Sequence, residues 1–471
     1  MAIQNNKPLL HRKEWQMMTP CPVSTGAGVF MVKDPAGVRR TALLVASTTS
    51  QWLYDVNQDA WQQIPSMALA GTFAAGACGS WALWSNTLTA TGGTTTTITL
   101  TGTITGKLDG RTIWFQTGTN QNARVVIDTV RINPGGTHTI FLKTALPNAV
   151  ANGHTFKIDS GVYYVLNAYT SVATGVFKSY DVATGTVTSL TTTNLPASWG
   201  TDGRIVSTPS NVGAFVSGTT TSATSTTLVN SSKNWTVNQW SNYQVTIISG
   251  TGAGQTRTIS SNTSTTLTVS AAWTVTPDST SVYEIEGNDD FLYILGNGAV
   301  TMYRYSISAN TITVLSPTAA RSSAPGAGMS ANWIANTAIS TWINENDYLD
   351  GRFIYSFRGA GTSTLQRYDI ALNTWSDVAY ARQQETFSTG SSFDADGRRI
   401  YANKENIGRI LFIDVTDNEM TGFSTDFYPQ STAVVGDKTF TVSYNDGSGQ
   451  EIKWLYFIGN TTNILRRIMI F

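Results

Sequence analysis

The chain has 471 residues, and 30 Lys and Arg balance 30 Asp and Glu, so its formal net charge is zero. Zero net charge argues against a protein that grips nucleic acid by electrostatics alone. Charged residues make up only 13% of the chain, against a usual share of about a quarter. A surface with so little charge suits extensive polar contact with other subunits, and it is also found in an ordinary all-β protein.

The pattern of apolar residues disfavours a membrane-spanning protein and a secreted protein. No apolar run approaches the ~20 residues of a membrane-spanning helix. The opening residues Met1–Lys7 lack the apolar stretch of a signal peptide. We therefore expect a protein made in a cytoplasm and not exported by the general route, with Cys21 and Cys78 reduced and buried.

One short pattern recurs along the chain and predicts a strand, a turn and a second strand. It consists of Tyr-Asp-Val or a variant, an Asn-rich turn and often a Trp. Its copies begin at Tyr54, Tyr180, Tyr305, Tyr368, Ile413 and Ile468. The two longest intervals contain Thr/Ser-rich stretches, and without these all intervals approach the ~40–50 residues of a propeller blade.

The two chain ends complement each other. The last copy reaches Phe471 before its turn and Trp, whereas Lys13–Met17 supplies a strand with Trp15. We expect the N-terminal strand to complete the last blade, which removes open sheet edges. The sequence thus predicts an all-β, kelch-like propeller of about six blades. Five or seven blades stay open because Pro317–Tyr348 is poorly patterned.

The two Thr-rich stretches resemble each other. Each has a Gly-rich turn, Gly118–Arg124 or Gly250–Arg257, and ends in an aromatic-charged-Ile strand, Phe156–Ile158 or Tyr283–Ile285. Their β-branched alternation predicts two small β-barrel or sandwich modules inserted between blade strands. The predicted division is propeller 1–89, module 1 at 90–159, propeller 160–215, module 2 at 216–286 and propeller 287–471.

The histidines and the repeated acids are better explained by structural roles than by catalysis or metal binding. His11, His138 and His154 have no metal-ligand spacing. The repeated acids, which could be paired as in a glycosidase, share one slot of the repeat, as turn residues do; they are Asp55, Asp181, Asp369 and Asp414. We expect no catalytic, cofactor-binding or metal-binding residues, no cofactor and no enzymatic activity.

Three loops and two sets of tryptophans have alternative interpretations. Asp394–Gly397 could begin a calcium loop, Gly250–Gln255 a phosphate cradle and Asn344–Asp347 a cation site, but hairpins or solvated loops are favoured. Trp15, Trp61 and Trp375 share a repeat slot and are expected to pack between blades. Trp235, Trp240 and Trp273 could stack on sugars, although the core of a small module is favoured.

Two resemblances suggest a role. Leu365–Trp375 resembles the kelch repeat, without its consistent Gly-Gly doublet. The stretches Ser231–Thr236 and Gly252–Ile259 look like the Thr/Ser-rich β modules of tailed-bacteriophage virion proteins. The second resemblance implies a structural component of a phage particle, as in the nozzles of short-tailed phages. Such a protein would be made in the cytoplasm of the bacterial host and located in the virion, in the tail or head-tail region.

The implied partners are other virion proteins and copies of the same chain, with a host surface glycan as a candidate and any nucleic-acid contact indirect. Lys13–Pro20 does not match known nozzle openings, so the position in the particle stays open. The alternatives are a receptor-binding adhesin or carbohydrate-active propeller, a capsid vertex or decoration protein, and a cytosolic kelch-type adaptor.

Overall fold

The protein is all-β. The computed structural model describes residues 87–323 and 352–378 with short gaps, Ser330–Ile334, and separate segments within 16–81 and 392–470. Every regular element in these residues is a β-strand, and the strands form antiparallel sheets. Thr, Val, Ile and Tyr dominate the strands, as β-branched and aromatic side chains fit a pleated surface.

Six four-stranded sheets occur among the described residues. We number them in chain order and number their strands likewise. Sheet 1 contains Val29–Val32, Ala42–Ala46, Gln51–Asp55 and Ala60–Ile64; sheet 2 contains Cys78–Trp81, Val162–Leu166, Phe177–Asp181 and Thr186–Ser189; sheet 3 contains Arg204–Ser207, Phe291–Leu295, Met302–Ser306 and Thr311–Leu315. Sheet 4 contains Ser330–Ile334, Phe353–Phe357, Leu365–Asp369 and Thr374–Val378; sheet 5 contains Ser392–Asp396, Arg399–Asn403, Arg409–Asp414 and Glu419–Ser424; sheet 6 contains Lys438–Asn445, Glu451–Ile458, Leu465–Ile470 and, as its fourth strand, Gln16–Met17.

The N-terminal strand lies where the sequence places it. Gln16 pairs with Arg467 and Met17 with Arg466, antiparallel to the last strand of the chain. The Met18 amide donates to the Leu465 carbonyl at 3.0 Å and extends the pairing. Trp15, which suggested this strand, lies outside the described residues.

Each copy of the repeat begins in the third strand of a different four-stranded sheet. The first strands of these sheets lie beside one another in the order 1, 2, 3, 4, 5, 6, and the first strand of sheet 6 lies beside that of sheet 1. The fourth strands are at the opposite edge of their sheets. The poorly patterned stretch contributes the first strand of sheet 4, Ser330–Ile334.

Two seven-stranded sheets interrupt sheets 2 and 3. Module 1 contains Leu88–Thr89, Gly92–Gly93, Thr97–Thr101, Thr112–Phe115, Arg124–Arg131, Thr137–Leu142 and Thr155–Ile158. Module 2 contains Val216–Thr219, Ser222–Ala223, Thr227–Val229, Gln244–Ser249, Thr256–Asn262, Thr266–Val269 and Val282–Ile285. Each module lies in sequence between the first and second strands of its sheet.

The modules have the same topology. If the strands of each are numbered from one to seven, both sheets have the spatial order 1-7-4-5-6-3-2. The register between strands five and six shifts at equivalent places, after Ile127 in module 1 and after Ile259 in module 2. A shared strand order and a shared irregularity indicate two copies of one structural unit.

Candidate functional site

The repeated acids act as turn residues. Wherever the structure describes the turn, the side chain after the first repeat residue accepts a hydrogen bond from the backbone amide three residues later. The acceptor–donor pairs are Asp55 with Gln58 at 3.2 Å, Asp181 with Thr184 at 3.4 Å, Ser306 with Ala309 at 3.3 Å and Asp369 with Leu372 at 3.1 Å. Asp and Ser side chains commonly stabilise turns by such local hydrogen bonds to the backbone. The side chain of Asp414 lies outside the described residues.

Asp369 is held by a second group. Arg352 donates to both of its carboxylate oxygens, from Nε at 2.9 Å and from Nη2 at 2.8 Å. Such a bidentate pair fixes the geometry of both side chains. The carboxylate of Asp369 is therefore occupied by the turn and by Arg352, as expected of a structural residue.

A tyrosine hydroxyl fixes the residue at the tip of the same turn. Tyr54 donates to Asp59 at 2.6 Å, and Tyr305 and Tyr368 donate to an asparagine five residues later at 3.1 and 2.7 Å. The acceptors Asp59, Asn310 and Asn373 have φ of 49°, 49° and 51°, in the left-handed region that Asn, Asp and Gly tolerate. In sheet 2 the position is Gly185, with φ of 69°.

Two of these acceptors, Asp59 and Asn310, also bind the chain that arrives from the preceding sheet. The Thr19 amide, which follows the N-terminal strand of sheet 6, donates to Asp59 at 2.8 Å. The Thr191 amide, which follows sheet 2, donates to Asn310 of sheet 3 at 3.0 Å. We call this arrangement of repeat tyrosine, Asx residue and incoming amide the Tyr–Asx clamp.

Trp61 and Trp375 reinforce this junction. The Trp61 indole lies 4.9 Å from the Tyr54 ring, centroid to centroid, and its Nε1 donates to the Thr19 carbonyl at 2.9 Å. Trp375 lies 5.3 Å from the Tyr368 ring and beneath the guanidinium of Arg321, which follows sheet 3. Both tryptophans therefore pack between one sheet and the segment from its predecessor.

Arg321 is the most deeply buried cation of this junction, with 5% of its surface exposed. Its Nε donates to the Gln366 side chain at 2.8 Å and its Nη2 to the Ser356 hydroxyl at 2.7 Å. Burial, and secondarily the charge of Arg358, lowers the pKa of Arg321 to about 10. It stays protonated at neutral pH and links the segment after sheet 3 to sheet 4.

A second tyrosine of the repeat escaped the sequence analysis. In each four-stranded sheet, one residue of the second strand pairs with the first repeat residue. In five of the six sheets, the residue after it is a tyrosine: Tyr164, Tyr293, Tyr355, Tyr401 and Tyr456. Three of them contact the repeat tyrosine of the next sheet, with centroid distances of 5.8 Å for Tyr164–Tyr305, 6.2 Å for Tyr293–Tyr368 and 6.3 Å for Tyr456–Tyr54. The signal was an apolar-Tyr pair before five of the six copies of the repeat.

The remaining chemical candidates have structural roles where they are described. His138 is buried and its Nε2 lies 2.6 Å from the Gly102 carbonyl, while its Nδ1 accepts from the Asn133 amide at 3.3 Å. Within the described residues there is no group of three or more His, Cys, Asp or Glu side chains that could hold a metal. His11 and Asn344–Asp347 lie outside the described residues.

The two glycine-containing candidates are hairpin loops. Gly250–Gln255 joins the fourth and fifth strands of module 2, and the Gln255 side chain holds it by accepting from the Thr274 and Val275 amides. Asp394 lies in the first strand of sheet 5, which pairs directly with the second from Asp396 to Arg399. The described residues of these segments lie between or within strands, without the strand-to-helix geometry of a phosphate cradle, and Gly397 lies outside the described residues.

The tryptophans of module 2 are core residues. Trp235, Trp240 and Trp273 expose 8%, 0% and 5% of their surfaces. They pack with the apolar residues of the module strands, and Arg257 lies over the Trp273 ring at 5.5 Å. They therefore offer no exposed aromatic platform for a sugar ring.

Module 2 shares its core with sheets 3 and 4. Tyr243 of the module and Tyr293 of sheet 3 are buried, with their hydroxyls 3.0 Å apart, and Tyr243 packs 5.4 Å from the Phe291 ring. The Gln239 side chain donates to the Ala371 carbonyl in the turn between the third and fourth strands of sheet 4. Module 2 is therefore inserted in sheet 3 and also packs against sheet 4.

The two modules leave equivalent ends of their sheets. Because neighbouring strands are antiparallel, the connections between strands one and two and between strands three and four emerge at one end. Each module lies in the connection between strands one and two, and the turn of the repeat lies in the connection between strands three and four. This end of the sheets, with both modules, is the candidate functional surface.

No helix of the described residues is both long and apolar enough to cross a membrane. The comparisons with known proteins found no matching protein-family model and no matching curated protein.

Three similar solved structures are distant likenesses of this chain. Glutaminyl cyclase from Myxococcus xanthus is 13% identical over 39% of this chain and 72% of its own, with a TM-score of 0.23. A protein of unknown function from Bacteroides thetaiotaomicron is 10% identical over 79% and 82% of the two chains, with a TM-score of 0.25. YjhT is 10% identical over 39% of this chain and 63% of its own, with a TM-score of 0.25. Similarity at this level carries no functional argument.

Proposed function

We propose that the protein is a non-enzymatic structural component of a bacteriophage particle, in which a six-bladed propeller carries two inserted docking modules. Its partners would be copies of itself and other virion proteins in the tail or head-tail region. Weak contacts from many copies would then add up through high effective concentration.

The propeller is inferred from the order of the sheets. Each four-stranded sheet is taken as one blade, with its first strand at the centre. The neighbouring first strands, the stacked tyrosines and the pairing of Gln16–Met17 with the last strand all support a closed ring. Closure by the N-terminal strand would leave the last blade no shorter than the others.

Each module is inferred to be a small closed barrel. In module 1 the first two strands are separated only by Ala90 and Thr91, yet they bond to opposite edges of the sheet: Leu88–Thr89 to the seventh strand and Gly92–Gly93 to the third. Module 2 repeats this arrangement with Val216–Thr219 and Ser222–Ala223. One bent strand that bonds to both edges closes a sheet.

The observation that carries the proposed function is the placement of two like modules at equivalent connections of adjacent sheets. Two copies of one unit on the same end of a rigid platform suit repeated contacts with neighbouring subunits. The resemblance of the modules to phage virion modules supports virion proteins as these neighbouring subunits. The engagement of Asp55, Asp181 and Asp369 in turns favours a scaffold over a glycosidase.

The receptor-binding adhesin is the alternative, and the burial of Trp235, Trp240 and Trp273 disfavours its aromatic sugar platform.

The test is a phage genome with an early stop codon in this coding sequence, grown with and without a complementing plasmid. We expect that particles without the chain fail to assemble or lose their tails, and that purified complemented particles contain several copies of it by quantitative mass spectrometry. Complete, tailed particles that cannot adsorb would favour the adhesin. Fully infectious particles that never contain the chain would overturn the virion assignment.

A further inference from the structure

The modules differ in the residue that faces the sheets. The Ile127 amide bonds to the Arg111 carbonyl, and the Ile259 amide bonds to the Tyr243 carbonyl, both at 2.8 Å. Arg111 of module 1 therefore occupies the position of Tyr243 in module 2. Because Tyr243 anchors module 2 in a buried aromatic contact, module 1 must be held by a different interaction.

The Arg111 guanidinium lies against Gly161, the residue before the second strand of sheet 2. A Cβ atom built at Gly161 would meet this guanidinium, and Gly161 has φ of 61°. The absence of a side chain at Gly161 thus leaves the space that the arginine of the module occupies.

In sheet 4 the equivalent space is filled by an arginine of the same sheet. Gly161 and Arg352 are equivalent, since each precedes the strand residue that pairs with the repeat aspartate, Asp181 or Asp369. In sheet 4 the guanidinium comes from the sheet itself, and Arg352 binds Asp369 in a bidentate pair. In sheet 2 the guanidinium comes from module 1.

We propose that Arg111 takes the role of Arg352 in sheet 2 and forms an ion pair with Asp181, and that this pair fixes the orientation of module 1 on the platform. Asp181 has the same turn contact as Asp369, so its carboxylate faces the same way. Module 1 is then the module that can turn, whereas module 2 is part of the platform. This inference does not depend on the phage assignment.

The cores of the modules support the distinction. Among the described residues, the buried core of module 1 consists of side chains between Ala90 and Ile158. The core of module 2 continues into Phe291, Tyr293 and Tyr368 of sheets 3 and 4. A partly exposed ion pair holds far less free energy than a shared aromatic core, so its loss should release module 1 without unfolding it.

The experiment measures the distance between spin labels at Ile132 of module 1 and Val275 of module 2, which are 51% and 49% exposed. The background carries Cys21→Ser and Cys78→Ala. Arg111→Gln is the test variant. Arg352→Gln is the matched control, because it breaks the equivalent pair inside sheet 4 and leaves Arg111 and Asp181 unchanged.

The parent protein should give a single narrow distance distribution, and Arg111→Gln should broaden and shift it. Arg352→Gln should leave it narrow, and Asp181→Asn, which keeps the acceptor for the Thr184 amide but removes the charge, should broaden it as Arg111→Gln does. An unchanged distribution in Arg111→Gln would overturn the anchoring role. A broad distribution in Arg111→Gln together with a narrow one in Asp181→Asn would overturn Asp181 as the partner.

Discussion

Asp59→Gly should open the junction between the last and first sheets. Asp59 accepts from the Tyr54 hydroxyl at 2.6 Å and from the Thr19 amide at 2.8 Å. Hydrogen bonds to a charged acceptor contribute about 1.5–3 kcal/mol each, less where water competes. Because the Thr19 contact is exposed and the Tyr54 contact only partly buried, the expected cost is about 2–4 kcal/mol for both.

Two further substitutions separate the causes. Asp59→Asn keeps the acceptor and the left-handed backbone that Asn310 and Asn373 show, and it should cost less than about 1 kcal/mol. Asp59→Ala loses the acceptor and places a Cβ at φ of 49°, which adds about 1 kcal/mol.

Hydrogen exchange detected by mass spectrometry reads this junction directly. In Asp59→Gly the peptide that contains residues 16–20 should exchange roughly 30- to 700-fold faster. Peptides from sheet 4 should exchange as in the parent, because the Tyr368–Asn373 clamp is intact. If Asp59→Asn accelerates exchange as much as Asp59→Gly, or if neither changes it, the clamp does not hold the N-terminal strand.

Three further predictions follow from single contacts. Tyr243→Ala should destabilise the protein by about 3–5 kcal/mol through the cavity it leaves between module 2 and sheet 3, whereas Tyr243→Phe should cost about 1 kcal/mol for the hydroxyl contact; denaturant unfolding compares them. Gly161→Ala should give the same broadened label distances as Arg111→Gln, because its Cβ displaces the guanidinium; a narrow distribution would contradict the packing. Burial raises the pKa of Tyr283 from 10.0 to about 12, so the unfolded state loses this proton first and stability should fall as pH rises from about 10 to 12; Tyr283→Phe should remove its share of that slope in alkaline unfolding.

The repeat could be predicted because its turn chemistry is local. Tyr54, Tyr305 and Tyr368 each carry an Asp or Asn five residues later, and the left-handed turn needs one of these residues or glycine. The pairing of Gln16–Met17 with the last strand also followed from the sequence, since an incomplete final copy requires a strand from elsewhere. The burial of the module 2 tryptophans followed from size, because a small module has few other large apolar groups.

The inter-sheet contacts could not be predicted in the same way. Tyr164, Tyr293 and Tyr456 contact the following sheet across long sequence separations, and the apolar-Tyr pair in the sequence does not by itself indicate those contacts. Arg111 offered no signal at all, because its meaning depends on a missing side chain at Gly161. Positions defined by two distant segments need coordinates before their chemistry is visible.

Electron cryomicroscopy of the purified chain would show whether the six sheets form one closed ring with the two modules above adjacent blades. We expect a ring of six lobes with two protrusions on one face, above neighbouring lobes, and density for residues 16–17 along the strand Leu465–Ile470. A ring of five or seven lobes, an open arc, or modules on opposite faces would contradict it.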